Sequence, residues 1–241
     1  MTKRPTLIVA LDFSGQEQAL ALCESLDGLV DYYKVGSELF TAAGPGIIDE
    51  ITRSGSRVFL DLKFHDIPNT VRQAVRAAHR WGVELVDVHV SGGPEMMKAA
   101  AEGVRESEPG DRPLVFGVTV LTHLGDDDLR SLGLVTTSRE QVVRLARLAR
   151  ECGLDGVVAS AHEVEAVREA TESQLEVLVP GVRPLWASAS HDQKRVATPA
   201  EVVHAGASYV VVGRAITSQA DPRVAAQRIL EEMDSAVASS P

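Results

Sequence analysis

The most constraining feature of this chain is a period. Short apolar runs of strand type alternate with longer segments whose apolar residues recur at helical spacing. Eight such runs can be read: LIVALD (7–12), YYKVG (32–36), RVFLDLK (57–63), LVDVHV (85–90), LVFGVTVL (114–121), DGVVAS (155–160), EVLVPGV (176–182) and YVVVGR (209–214). Strands that alternate with helices pair in parallel, because the chain must cross back over the sheet before the next strand begins. Eight such units in 241 residues favour a closed α/β fold, a single (β/α)8 TIM barrel, over an open doubly wound sheet. With 44% hydrophobic residues and no compositional break that would mark a linker, residues 1–241 read as one domain around one core.

Helix boundaries carry their own signals. VVRLARLARECG (142–153) has helical spacing and closes on Gly153, a residue suited to the left-handed conformation that ends helices. Ser14 and Ser138 precede helical patterns as candidate N-caps, and Thr198 stands before Pro199 at a first helical position. The closing SAVASSP reads as a frayed tail.

Charge and composition exclude several functions. A net charge of −10 and a pI near 5.2, without a basic stripe, argue against a nucleic-acid partner, so any anion must be captured locally. No apolar stretch approaches the roughly 18 residues of a membrane span. The start MTKRPTLIVALD has no long apolar region of a secretory signal, so a cytoplasmic protein without a membrane partner is expected. Cys23 and Cys152 lie far apart with no CxxC pair and read as packing residues. Neither a complete GxGxxG nor a GxxxxGK[ST] occurs, and Ala166 stands where an HExxH zinc site starting at His162 would need its second histidine. No cofactor and no metal are therefore expected. His65, His79, His123, His191 and His204 are scattered and read as surface or structural, whereas His89 shares a strand face with Asp87.

FLDLKFHDIPNT (59–70) is the local exception, since it sets charges directly after a buried-type strand. Alternation puts Phe59, Asp61 and Lys63 on the barrel-axis face and Val58, Leu60 and Leu62 on the helix face. Asp12 closes the first strand run, Lys34 sits late in the second, and Asp87 and His89 lie on the fourth. Active sites of this fold are built at these C-terminal strand ends. One ion pair there would be an ordinary staple. Four or more charged groups from separate strands each carry a desolvation penalty that apolar residues would avoid, so the cluster points to a functional rim. The loops after strands seven and eight, where phosphate commonly binds in this fold, read PGVRP (180–184) and VVGRAIT (211–217). There Gly181 and Gly213 allow close backbone approach, and Arg183 and Arg214 supply fork-shaped positive charge. PLWASASHDQKRV (184–196) has no clean period, is long for such a loop and suits a lid over a ligand.

DLKFHDIPNTV (61–71) resembles the DxKxxD signature of the orotidine 5′-phosphate decarboxylase family. The resemblance continues through Asp12, Lys34, Thr122 in VLTHL, PGVRP, DQKRVATP and VVGRAIT. It implies conversion of orotidine 5′-phosphate to uridine 5′-phosphate and CO₂, the last step of de novo pyrimidine biosynthesis, with no cofactor. By the same resemblance Lys63 is the general acid that protonates the C6 carbanion, and Lys34, Asp61 and Asp66 complete an alternating charge network. Asp12 and Lys34 would hold the ribose hydroxyls, Thr122 would lie in a substrate-contacting loop, and Gln193, Gly213 and Arg214 would take the phosphate with Arg183 nearby. The family is a homodimer with shared sites, so Asp66, Ile67 and Thr70 would serve the partner subunit's site.

The chemistry agrees with those roles. Loss of CO₂ from C6 leaves an electron pair in the ring plane, out of reach of the π system, so stabilisation must be electrostatic. A fixed ammonium at Lys63 meets that charge and then delivers the proton. Two rivals remain at this stage. One is a Mg²⁺-using barrel decarboxylase or aldolase for sugar phosphates, which shares DxKxxD but by resemblance has an acidic residue in place of Lys34. The other is a non-catalytic phosphate-binding barrel.

Overall fold

A computed structural model describes residues 3–105, 112–187 and 197–239. Eight strands, β1 (Thr6–Ala10), β2 (Tyr32–Gly36), β3 (Arg57–Phe64), β4 (Leu85–His89), β5 (Leu114–Val118), β6 (Gly156–Val158), β7 (Glu176–Pro180) and β8 (Tyr209–Val212), close into a barrel in chain order. All pairings are parallel, and the seam between β1 and β8 runs from Thr6 opposite Tyr209 to Val9 opposite Val212. The expected (β/α)8 barrel is therefore the fold. Several strands stop sooner than their apolar runs: β1 at Ala10, β5 at Val118 and β8 at Val212. Past those points the chain leaves the ladder for the mouth, and the released residues include Asp12, Thr122 and Arg214.

The helical layer comprises α1 (Gln16–Ser25), α2 (Ser37–Ala43), α3 (Gly46–Arg53), α4 (Pro68–Arg80), α5 (Pro94–Arg105) and α6 (Asp126–Ser131). It continues with α7 (Ser138–Glu151), α8 (Val164–Ala170), α9 (Pro199–Ala205), α10 (Arg214–Thr217) and α11 (Pro222–Ala238). The caps correct two expectations. Gly15, not Ser14, caps α1, because the helix begins one residue later than the serine could serve. Thr137, not Ser138, caps α7 through a reciprocal box with Glu140, while Ser138 donates its N–H and hydroxyl to Asp126 at 2.7 and 2.6 Å. Thr198 caps α9 ahead of Pro199 as expected. Gly153 at φ +77° follows Cys152 at the end of α7, and the Leu154 N–H reaches the Ala149 carbonyl at 3.1 Å, closing a Schellman turn. The tail is not frayed at its start: α11 runs to Ala238 because Met233 and Ala236 are buried against the barrel.

Alternation along the strands sorts the core into two layers. Ile8, Ala10, Tyr32, Phe59, Leu85, Phe116, Leu178 and Val211 fill the barrel interior. Val9, Val35, Val58, Leu60, Val86, Val88 and Val115 face outward and meet the helices. Each fully buried Leu, Ile or Phe contributes about 2 kcal/mol by leaving water, so this double layer supplies the rigid frame on which the rim is mounted. Tyr32 and Tyr209 pack edge to face across the lower interior, with the Arg57 guanidinium 4.5 Å from the Tyr32 ring centroid. These rings fill the barrel interior toward the N-terminal ends of the strands. Cys23 and Cys152 are both free and buried, as packing residues should be.

Candidate active site

At the C-terminal mouth of the strands lies a cavity of about 320 Å³. Its lining brings together Asp12, Lys34, Asp61, Lys63, Asp87, Thr122, Gly181, Arg183, Gly213 and Arg214, all singled out in the sequence, and adds His123, which reads from sequence as surface or structural. Lys34 is the hub. From β2 its ammonium reaches Asp12 Oδ1 at 2.9 Å and Asp61 Oδ2 at 3.2 Å. Asp61 in turn accepts a hydrogen bond from Lys63 Nζ through its other oxygen. The result is a line of alternating sign, Asp12, Lys34, Asp61, Lys63, drawn from the segment after β1 and from β2 and β3.

Lys63 gets there by a route that simple alternation does not describe. Leu60 pairs with Val86 and Phe64 with Val88, so four residues of β3 span two of β4 and the intervening residues bulge. Lys63 itself adopts φ +50°, a left-handed conformation that costs a non-glycine residue about 1–2 kcal/mol. The backbone N–H released by the bulge is taken by Asp87 Oδ1 at 2.8 Å. Strain at a functional side chain, with a buried acceptor to hold it, marks this turn as part of the site.

The electrostatics follow from burial and pairing. Desolvation alone would lower the Lys34 pKa, but Asp61 and Asp12 outweigh it and hold the value above that of an ordinary lysine. Asp61 is also desolvated, which would raise its pKa, yet Lys34 and Lys63 pull it down to about 2. Asp87 goes the other way. It is 1% exposed, and burial next to the Asp61 charge pushes its carboxyl well above the usual range. Burial, with His65 and Lys63 adding positive charge, lowers His89. His65, which reads from sequence as scattered, in fact stands with its ring 5.3 Å from that of His89. Among the described residues no three His, Cys, Asp or Glu side chains form a metal-holding group.

Opposite this line, β7 and β8 deliver the arginines. Gly181 sits at φ +75°, a turn that favours glycine, and passes the chain to Arg183. Gly213 caps the short α10, whose first residue is Arg214. Trp186 lies against the Arg228 guanidinium on α11, 4.1 Å from its ring centroid, which ties the start of the expected lid to the outer layer. Residues 188–196, with Gln193 and His191, lie outside the described residues.

Three expected residues are not in the lining. Asp66 and Ile67 on the turn into α4 and Thr70 in its first turn are exposed, with Ile67 at 68% exposure and Asp66 accepting its own neighbour's N–H at 2.6 Å. Sequence reasoning also overlooked Gly36, two residues along β2 from Lys34. A Cβ there would stand 2.7 Å from Lys34 Nζ and 3.3 Å from Asp12 Oδ1, so the missing side chain makes room for the pair. The signal was available, since a glycine on the same strand face as a buried lysine leaves space for something.

A parallel (β/α)8 barrel whose strand ends gather lysines and aspartates into one cavity is of the enzyme class, with its working face at the C-terminal mouth. The particular family follows from comparison with known proteins. The chain belongs to the orotidine 5′-phosphate decarboxylase / HUMPS family, whose model matches residues 5–229. It is 47% identical over 229 residues to an orotidine 5′-phosphate decarboxylase of Saccharophagus degradans, covering 95% of each chain. It is 48% identical over 228 residues to the protein of the same name from Trichlorobacter lovleyi, covering 94% of each. The crystal structure of orotidine 5′-phosphate decarboxylase from Lactobacillus acidophilus superposes with a TM-score of 0.83 at 37% identity, covering 96% of this chain and all of that one. No helix among the described residues is long and apolar enough to cross a membrane.

Proposed function

We propose that this chain decarboxylates orotidine 5′-phosphate to uridine 5′-phosphate and CO₂, the last step of de novo pyrimidine biosynthesis, with Lys63 as the acid and no cofactor. The observation that carries the reading is the alternating line Asp12, Lys34, Asp61, Lys63 at the cavity. A carbanion at C6 needs a positive charge already in place, since reorganising water or side chains during the reaction would add to the barrier. Lys63, bound to Asp61 and braced by its strained turn, is such a charge. It then transfers one proton to C6.

The rest of the cavity divides the substrate. Asp12 and Lys34 take the ribose hydroxyls, Thr122 contacts the substrate from its loop, and Gly213, Arg214 and Arg183 receive the phosphate with Gln193 from the lid. Phosphate binding far from C6 helps the chemical step by ordering the site around the ring. Lys34, paired to two aspartates, stands where the magnesium-using rival would need an acidic residue. The active form in this reading is a cytoplasmic homodimer of single-domain subunits, residues 1–241. The exposed Asp66–Thr70 run crosses to the partner subunit, where Asp66 adds the second carboxylate beside Lys63 while Ile67 and Thr70 contact substrate.

The test is the fall in ultraviolet absorbance of orotidine 5′-phosphate with purified protein in EDTA, beside Lys63→Ala. Turnover that survives EDTA and disappears in the variant is expected. A well-folded wild-type protein that leaves the absorbance unchanged would refute the assignment and direct attention to sugar phosphates with Mg²⁺.

A further inference from the structure

Of the ionisable groups that line the cavity, Asp87 is buried yet has no task in the reading of Lys63 as the acid. Asp87 on β4 is 1% exposed, yet it sits at the base of the cavity rather than within the hydrophobic layers. A carboxyl so placed costs free energy that an apolar side chain would avoid. Its neighbours give the reason. The β3 bulge spans the residues opposite Asp87, and the Lys63 N–H that the ladder no longer holds donates to Asp87 Oδ1 at 2.8 Å. The Asp87 side chain also lies within hydrogen-bonding reach of the Asp61 carboxylate, which binds Lys63 Nζ. Lys63 is thus held at both ends: its backbone by Asp87 directly, its ammonium by Asp61, which Asp87 touches in turn.

We propose that Asp87 is a positioning residue for Lys63, its carboxyl gripping the left-handed turn of the lysine backbone and the Asp61 side chain at once, so that the ammonium is aimed at the reacting carbon. This rests on the assignment of Lys63 as the proton donor.

The arrangement requires Asp87 to be a neutral acid. One oxygen accepts from Lys63 N–H, and the other carries a proton donated to Asp61, which remains the anion. Charges around it agree. Asp61 and Lys63 face it from β3, Lys34 from β2 stands behind Asp61, and His89 and then His65 lie along the rim. From β5 its ladder partner is Phe116, with Val118 further along the same face, and neither carries charge. Burial beside the Asp61 anion keeps the Asp87 proton on well above the usual carboxylate range. An asparagine would reproduce both hydrogen bonds, with its carbonyl as the acceptor and its amide as the donor.

The experiment compares Asp87→Asn, Asp87→Ala and Lys63→Ala with the wild type in steady-state decarboxylation across pH, each variant checked for fold by circular dichroism. Asp87→Ala is expected to lower kcat roughly a hundredfold with KM nearly unchanged, the scale of a catalytic group misplaced by about an ångström. Asp87→Asn should recover most of that loss and move or remove the alkaline limb of the wild-type kcat profile, because it has no proton to lose there. A folded Asp87→Ala with wild-type kcat overturns the proposal, as does an Asp87→Asn no better than alanine. Should alanine fail to fold, the pH profiles decide: identical alkaline limbs in wild type and Asp87→Asn overturn it. Lys63→Ala separates the two readings. Activity there defeats the assignment of the acid, whereas an inactive Lys63→Ala beside an unaffected Asp87→Ala defeats only the positioning role.

Discussion

Lys34 Nζ lies 3.2 Å from Asp61 Oδ2, and both side chains are nearly out of water, at 10% and 12% exposure. A buried pair of this kind resists the loss of one partner more than its net contribution suggests, because the survivor is left charged and poorly solvated. Lys34→Met should therefore cost about 3 kcal/mol of folding stability. Asp61 would keep only Lys63 as a counter-charge, so kcat/KM should fall roughly 10²- to 10³-fold as well. Urea denaturation and initial rates measure the two effects. A stability within about 1 kcal/mol of the parent would mean that water screens the pair as at a surface.

Gly36→Ala tests the same pair without touching a charge. The backbone there, at φ −95°, accepts any residue, so the new methyl meets only the flexible end of Lys34 and the Asp12 carboxylate. The fold should survive with a change below about 1 kcal/mol. The lysine should be displaced, and activity should fall roughly tenfold or more, as small misplacements in active sites do. Unchanged kinetics in a folded variant would contradict the close approach at this glycine, and loss of fold would show that the Lys34 end cannot give way.

Asp61 sets an acid dependence with a definite sign. Its pKa is lowered to about 2 in the folded chain, against roughly 3.9 when unfolded. The stability it contributes is therefore complete above the unfolded value and is lost as pH falls toward the folded one. Urea midpoints for wild type and Asp61→Asn should draw closer between about pH 5 and pH 2, the wild type losing the ground. A difference that stays constant through that interval would show that Asp61 is not held low.

What could be read from the residues alone was whatever depends on local periodicity. The eight strands, the two-layer core and the rim charges Asp12, Lys34, Asp61 and Asp87 follow from alternation and spacing, and they are where that pattern puts them. What escaped depends on contacts distant in sequence. The turn at Lys63 is invisible in RVFLDLK because it comes from a register shift against β4, and the role of Asp87 exists only because that shift frees an N–H 24 positions away. His65 and His89 likewise meet only in space. The cap at Thr137 is a different case, because Thr137-x-x-Glu140 is a capping box written in the sequence itself, and reading Ser138 as the cap passed it over.

The exposed run after β3 gives the sharpest test of the assembly. Ile67 is 68% exposed, and Asp66 and Thr70 are exposed as well and outside the lining of the cavity that holds Lys63. If this run completes the neighbouring subunit's site, Lys63→Ala and Asp66→Ala chains should each be inactive alone and active when mixed. In a mixed dimer one site combines both defects, and the other combines the intact Lys63 of one chain with the intact Asp66 of its partner. Random reassociation of equal amounts in a two-fold dimer should restore about one quarter of wild-type turnover, since half the dimers are mixed and half their sites are whole. Mass spectrometry under native conditions confirms that mixed dimers form. Mixed dimers without activity would place Asp66 in the same site as its own Lys63 and leave the exposed run to some other contact.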